Sequence, residues 1–161
     1  MKEAKDSQDQ QHSTHGVFMV VFGQGILIQG KPGIGKSDLA LNLLDRGHTL
    51  VSDDLVIFNQ SYCGDLIGYA LKPSKRKIYI RNLGVLELES EYRWVGEHKL
   101  DKIVWLSDEH TLDSALPSVE EAAILDKKIP LFRLTIGQNR PLALLVEMIA
   151  KMNEPLREAY E

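Results

Sequence analysis

Residues 30–37 read GKPGIGKS, and their types and spacing suit phosphate binding. They match the pattern G-x-x-x-x-G-K-[ST], in which glycines allow a tight loop whose amide N–H groups point at one phosphate chain. Lys36 would bring an ammonium group to the β- and γ-phosphates, and the Ser37 hydroxyl would bind Mg²⁺. The candidate nucleotide-binding loop therefore comprises Gly30, Lys31, Pro32, Gly33, Ile34, Gly35, Lys36 and Ser37.

Two adjacent acidic residues, Asp53 and Asp54, close a strand that we predict after the loop helix. If this strand runs parallel to the one before the loop, both carboxylates emerge at the edge where open α/β sheets bind ligands. In phosphoryl transfer, one carboxylate holds Mg²⁺ and another accepts the proton of the attacking hydroxyl. We assign Asp53, with Ser37, to the metal and Asp54 to the base.

His15 and Arg81 are two further candidates for the same site. A hairpin with a three-residue turn centred on Gln24 would place His15 opposite Gly33, inside the loop. Arg81 follows a short apolar run and would neutralise phosphate charge; a surface arginine at a strand end is an equally good interpretation.

The elements that must position these residues form a strand, a glycine loop and a helix. The apolar pattern predicts a strand over 25–29 and a helix over 37–46, which Gly47 would end. Further predicted strands cover 15–22, 48–52, 55–59, 65–71, 77–81, 102–106 and 129–136. A capping box of Ser118 and Glu121 predicts a helix to 126, and Pro141 begins a final helix to about 153. Because hairpins outnumber helices, we expect an α/β fold with a mixed sheet.

Bulk properties narrow the class of protein. The chain has 161 residues, for which we predict a disordered polar tail over 1–12 and one domain over 13–161. A net charge of −4 argues against general nucleic-acid or membrane-surface binding. The single cysteine, Cys63, excludes an internal disulfide framework. With no signal peptide and no long apolar run visible, we expect a cytoplasmic protein.

The motif residues resemble the HPr kinase/phosphorylase family, whose members phosphorylate a serine of HPr, a small carrier protein of the bacterial sugar phosphotransferase system. The resemblance rests on residues 15–17, on 25–37 and on Asp53-Asp54, and it covers most of 15–153. It implies a P-loop fold similar to the nucleotide-binding domain of phosphoenolpyruvate carboxykinases. It also implies ATP and Mg²⁺ as cofactors, an HPr-like substrate, and a homo-oligomer, hexameric in full-length members. His15 and Lys36 would be active-site residues, Ser37 would bind magnesium, and Asp54 would be the base.

Three departures from the family pattern qualify this prediction. Tyr79 stands where the family has a magnesium-binding glutamate, and Lys31-Pro32 replace its usual Asp-Ser. The loop that the family uses for dephosphorylation is reduced to residues 136–140, which argues against a reverse phosphorylase activity. We therefore predict an ATP-dependent protein serine kinase acting on an HPr-like protein.

Two other functions stay open. The first is a nucleotide-binding regulatory module that has lost its chemistry, which Tyr79 and the altered loop would favour. The second is a small-metabolite kinase, which would need a closed pocket of metabolite size.

Overall fold

The computed structural model describes residues 10–71, 77–88, 92–109, 119–137 and 139–152. Across these ranges the chain forms strands interrupted by two helices, α1 and α2. In chain order the elements are β1 Gln11–His15, β2 Val17–Val21, β3 Gln24–Gly30, α1 Lys36–Asp45, β4 Thr49–Ser52, β5 Leu55–Gln60, β6 Leu66–Ala70, β7 Lys77–Ile80, β8 Gly84–Glu87, β9 Arg93–Trp94, β10 Glu97–Lys99, β11 Lys102–Ser107, β12 Val119–Ile124, β13 Lys127–Thr135 and α2 Leu142–Lys151.

A seven-stranded mixed sheet, in the order β12-β13-β11-β3-β2-β4-β9, forms the centre of the fold. The strand before the phosphate loop, β3, pairs parallel with β11 and antiparallel with β2. A four-stranded sheet, β1-β5-β6-β10, and a β7–β8 hairpin complete the sheet structure of the described ranges. The predicted α/β class with a mixed sheet is confirmed.

The large sheet lies between the helices and the four-stranded sheet, so its central strands are apolar on both faces. Ile26 and Ile28 of β3 face the core that the helices cover, whereas Leu27 faces the core of the smaller sheet. In that second core, Phe18 and Phe58 meet edge to face with ring centroids 5.5 Å apart. Burial on both faces explains the continuous apolar run that precedes the loop.

Helix α1 begins at the phosphate loop and ends where the sequence predicts. Gly35 is its N-cap residue, and Gly47 follows its C-cap with φ 93°. The Gly47 N–H donates to the Leu44 carbonyl at 2.9 Å, and the His48 N–H donates to the Leu43 carbonyl at 3.0 Å. These two bonds form a Schellman motif, which needs the left-handed conformation that glycine adopts readily.

The first predicted strand is confirmed over Val17–Val21, where it forms a hairpin with β3, but its start and its turn are wrong. Val21 pairs with Gln24, so the turn has two residues, Phe22 and Gly23, both at positive φ. The chain also changes sheets at Gly16: β1 pairs with β5, and His15 therefore lies opposite Leu55 and not opposite Gly33. A side chain at Gly16 would meet the Ile28 carbonyl oxygen at 2.8 Å, which explains the glycine.

The helix predicted from Ser118 to Asp126 is also wrong. Ser118 lies outside the described residues, but Val119–Ile124 form β12, which pairs antiparallel with β13. Ala122 and Ile124 pack on the core while Glu121 and Ala123 are exposed, an alternation of period two. Pairing with the free edge of β13 has overridden a local helix-capping signal.

The boundary of the predicted tail needs correction too. Strand β1 begins at Gln11, so residues 11 and 12 belong to the sheet, whereas residues 1–9 lie outside the described ranges. The bounds of the remaining predicted strands and of the final helix are confirmed to within two residues. Asn153, the predicted end of that helix, lies outside the described residues. Within the described ranges, no helix is long and apolar enough to cross a membrane.

Candidate active site

The phosphate loop connects β3 to α1 in a conformation that depends on its glycines. Gly33 has φ 81° and Gly35 has φ 109°, both in the left-handed region. The Lys36 ammonium folds back over the loop and donates to the carbonyl oxygens of Gly30 at 2.9 Å and Lys31 at 3.1 Å. Partial burial lowers the pKa of Lys36, although the nearby carboxylates of Asp54 and Asp53 oppose this shift. The loop thus holds its cation next to the backbone.

Asp53 joins the phosphate loop to the sheet edge. Strand β4 pairs antiparallel with β2, as β3 does, so β4 and β3 point the same way and Asp53 emerges beside the loop. Its Oδ1 accepts a hydrogen bond from the Ser37 hydroxyl at 3.2 Å. Its Oδ2 accepts a bond from the Tyr79 backbone N–H at 3.3 Å. Burial raises the pKa of Asp53, and these two hydrogen bonds only partly offset the effect.

Asp54 and His15 lie together on the solvent side of Asp53. Asp54 has φ 78°, and 86% of its side chain is exposed. Its Oδ1 lies 3.7 Å from His15 Nδ1. The Gly16 N–H donates to the Asp54 carbonyl at 2.9 Å, which fixes the end of β1 against the β4–β5 turn. The structure therefore places His15 at the site through β1–β5 pairing, not through the predicted hairpin.

Arg81 belongs to the loop side of the site. Its Nη2 donates to the Gly33 carbonyl at 2.9 Å. A side chain at Gly33 would meet the same Nη2 at 2.6 Å and displace the guanidinium, and the φ of 81° itself favours glycine at this position. The guanidinium bonded to the loop favours the phosphate-side interpretation of Arg81 over that of an unrelated surface residue.

The donor set at Ser37 and Asp53 fits Mg²⁺. A hydroxyl and a carboxylate are hard oxygen ligands, and Mg²⁺ is usually held by one or two protein oxygens together with phosphates and waters. Within the described parts of the chain, no three His, Cys, Asp or Glu side chains converge to hold a metal on their own. Tyr79 contributes its backbone N–H to Asp53, and its exposed phenol replaces the carboxylate that the family resemblance implies there.

Asp108 is a residue of this region that the sequence did not reveal. It forms an ion pair with Lys31 of the loop. Asp108 follows β11, whose parallel pairing with β3 sets Leu106 opposite Gly30 and so ends both strands at the same edge. The one available signal was an acidic residue just after the predicted strand over 102–106.

Comparisons with known proteins identify a family to which the chain is similar. The model of the HPr Serine kinase C-terminal domain family matches residues 7–161. The HPr kinase/phosphorylase of Geobacillus kaustophilus is 36% identical over 152 residues, which cover 90% of this chain and 48% of that protein. That of Geobacter sulfurreducens is 35% identical over 143 residues, covering 85% and 45%. The chain thus spans about half the length of the curated relatives it matches.

A solved structure shares the fold. The HPr(Ser) kinase/phosphatase from Coxiella burnetii superposes with a TM-score of 0.77 at 30% identity. The match covers 86% of this chain and 87% of that one.

Proposed function

Because the chain belongs to the HPr serine kinase C-terminal domain family, we propose that it transfers the γ-phosphoryl group of ATP to a serine of an HPr-type phosphocarrier protein. The observation that carries the proposal is the hydrogen bond from Ser37 to Asp53. This bond brings an acidic pair onto a phosphate-binding loop, which is the arrangement that phosphoryl transfer to a hydroxyl needs.

Charge neutralisation falls to the loop and its neighbours. The backbone N–H groups of residues 30–37, except at Pro32, and the Lys36 ammonium bind the phosphates, and Arg81 adds a guanidinium at the Gly33 side of the loop. Lys36 is already held at the Gly30 and Lys31 carbonyls, so little rearrangement is needed when phosphate oxygens replace them. Ser37 and Asp53 would hold Mg²⁺, which would supply positive charge to the phosphates when bound.

Asp54 acts as the general base. Its exposed carboxylate can reach the hydroxyl of an incoming serine, which an acid buried like Asp53 cannot. His15 lies beside this carboxylate, with its Nδ1 3.7 Å from the Asp54 Oδ1. Asp53 supplies a like charge beside the base, while its own oxygens stay bonded to Ser37 and to the Tyr79 N–H.

The proposal covers the kinase direction. The relatives named above carry phosphorylase or phosphatase in their names as well. Residues 136–140 are shorter than the loop that the resemblance links to dephosphorylation, so the reverse activity is not part of the proposal. A cytoplasmic location and assembly into a homo-oligomer stay predictions.

Incubation of the full chain with Mg-ATP labelled at the γ-phosphate and a purified bacterial HPr tests the proposal. We expect label on HPr, with the modified serine located by mass spectrometry. No label should appear when that serine is replaced by alanine. Tight ATP binding without transfer would instead favour the regulatory module, and transfer to a free metabolite would favour the metabolite kinase.

A further inference from the structure

A cavity of about 280 Å³ lies beside the acidic pair, away from the phosphate loop. Asp53 and Asp54 contribute to its lining, whereas residues 30–37 do not. Since Asp53 also bonds to Ser37, the acidic pair separates the loop from this cavity. The roles assigned so far leave the cavity unused.

The cavity has a buried end and an open mouth. Strand β4 forms the buried end, where Leu50 is 2% exposed and Ser52 is 3% exposed. The mouth is formed by Asp54 and by Leu71, which is 58% exposed. A cavity that opens beside the proposed base suits a group that arrives attached to a larger molecule. A metabolite kinase would need to enclose its substrate.

The lining combines an apolar wall with polar and charged groups. Leu50, Leu71 and Trp94 give the cavity apolar walls. The Ser52 hydroxyl donates to the Leu55 carbonyl at 2.6 Å, so an apolar group at the buried end leaves this donor satisfied. Three charged residues also line the cavity. Asp54 and Lys77 are exposed to water, and the largely buried Asp53 keeps its oxygens bonded to Ser37 and to the Tyr79 N–H, so an apolar group can pack beside them.

The volume sets the size of the occupant. Sites for drug-sized ligands run from about 300 to 1,000 Å³, so this cavity lies at the small end of that range and suits one large side chain better than a nucleotide. Adjacent Cα atoms are about 3.8 Å apart, so a residue one or two positions from a serine at Asp54 can reach the cavity.

We propose that this cavity is an acceptor pocket, which binds an apolar side chain of the protein substrate next to the phosphorylated serine. The inference rests on the proposed function and adds a specificity determinant to it. The pocket positions the serine at Asp54. It excludes substrate proteins in which the residue that would enter the pocket is charged.

Filling the pocket tests the inference in the full chain. Ala70→Leu adds bulk to the lining, and we expect the KM for HPr to rise about tenfold, as for loss of a buried anchor. The kcat at saturation and the Kd for Mg-ATP should stay unchanged. Ala143→Leu, at a similarly half-buried alanine on α2 outside the pocket, should leave all three constants unchanged. An unchanged KM in a folded Ala70→Leu protein would overturn the pocket.

Should Ala70→Leu fail to fold, Leu71→Ser replaces it, because an exposed leucine at the mouth can be changed without opening the core. Its control is Leu144→Ser, at an exposed leucine of α2. A higher KM for HPr in Leu71→Ser alone supports the pocket, and equal values in both variants reject it.

A binding signal separates this inference from the proposed function. In a Trp105→Phe background, Trp94 is the one remaining tryptophan, and HPr should shift its emission to the blue as the side chain enters. If the wild-type chain transfers no phosphate, the kinase proposal fails, and the Trp94 shift still decides the pocket. Absence of the shift with HPr, or transfer to free serine that is equally sensitive to Ala70→Leu, overturns a protein side chain as the occupant.

Discussion

The two ends of helix α1 show how one element serves both function and stability. At its N-terminal end, Lys36 and Ser37 lie near the carboxylates of Asp53 and Asp54, and the Ser37 hydroxyl donates to Asp53. At its C-terminal end, Arg46 Nε and His48 Nε2 each contact a different oxygen of Glu147 on α2 at 2.7 Å. The charged groups at the first end are placed to bind a ligand. At the second end, the charged groups bind one another.

The acidic groups at the two ends differ in the direction of their pKa shifts. Burial is the largest influence on both Asp53 and Glu147, and it raises the pKa in each case. At Glu147, hydrogen bonds and electrostatic attraction from Arg46 and His48 together outweigh burial, so its pKa falls below the usual value. At Asp53, the hydrogen bonds from the Ser37 hydroxyl and the Tyr79 N–H do not outweigh burial, so its pKa stays raised. An uncompensated buried acid reduces stability, a cost that proteins accept at functional sites.

The largest effect should come from Asp54→Asn. An amide cannot accept the proton of the serine, so we expect kcat to fall about a thousandfold. Because Asp54 lies away from the loop cation's hydrogen bonds, the Kd for Mg-ATP should change little. Phosphorylation rates at saturating HPr, with calorimetry of nucleotide binding, measure both. Asp45→Asn at the other end of α1 is the control, and a retained rate in Asp54→Asn would assign the base elsewhere.

Lys36→Ala should act on binding instead. Loss of the ammonium removes a charged hydrogen-bond donor from the phosphate chain, and we expect about a hundredfold weaker Mg-ATP binding. The melting temperature should change little, because the desolvation of the partly buried ammonium offsets its hydrogen bonds to the Gly30 and Lys31 carbonyls. Calorimetry and thermal denaturation test the two halves of this prediction. Lys128→Ala, on the exposed side of β13, should change neither, and unaltered affinity in Lys36→Ala would refute the loop assignment.

Glu147→Gln tests the stabilising end of the helix. Arg46 and buried His48 lose their anionic partner, which should cost about 2 kcal/mol of unfolding free energy and lower Tm by about 4–8 °C. The pKa of Glu147 is lowered by folding, so its contribution is present above the unfolded pKa of about 4.3 and is lost as pH falls. The difference from wild type should therefore shrink in acid.

Nucleotide affinity provides the complementary readout for that variant. Glu147→Gln should bind Mg-ATP as the wild type does, because Glu147 lies at the opposite end of α1 from the loop. Glu120→Gln, which breaks an exposed pair with Arg133, is the matched control and should leave Tm nearly unchanged. A Tm loss of equal size in both variants would mean that the buried Arg46–His48–Glu147 cluster stabilises the protein no more than an exposed ion pair does.

The sequence predicts the parts of the site that depend on local pattern. The loop from Gly30 to Ser37 needs glycines at fixed spacing, and the helix that follows ends at a glycine whose position is visible in the sequence. Asp53 could be placed through a general rule, because strands β3 and β4 point the same way and end at one edge.

The parts that depend on long-range pairing could not be predicted. His15 reaches the site because β1 pairs with β5 some forty residues later, and no local signal encodes that partner. Asp108 is near Lys31 only because β11 is the neighbour of β3. The helix predicted over 118–126 failed for the same reason, since the exposed edge of β13 outweighs a capping signal.

Asp53→Asn should give the smallest effect and the sharpest test of the comparison. The folded pKa of Asp53 is raised, so its favourable contribution is present below the unfolded pKa of about 3.9 and is lost as pH rises. The neutral amide can still accept from the Tyr79 N–H and donate to Ser37, so we expect Tm at pH 7 to rise by about 1–3 °C. At pH 3 the two proteins should melt alike.

The control for that variant is Asp54→Asn. It removes the same charge from the neighbouring residue, whose side chain is exposed, and should leave Tm unchanged. Addition of Mg-ATP should reverse the order, because the wild-type carboxylate gains a cation that the amide binds poorly. A lower Tm for Asp53→Asn at pH 7 without nucleotide would mean that Asp53 is as well compensated as Glu147. The acidic groups at both ends of α1 would then be compensated within the protein, and the N-terminal end would have no uncompensated carboxylate to bind a ligand's cation.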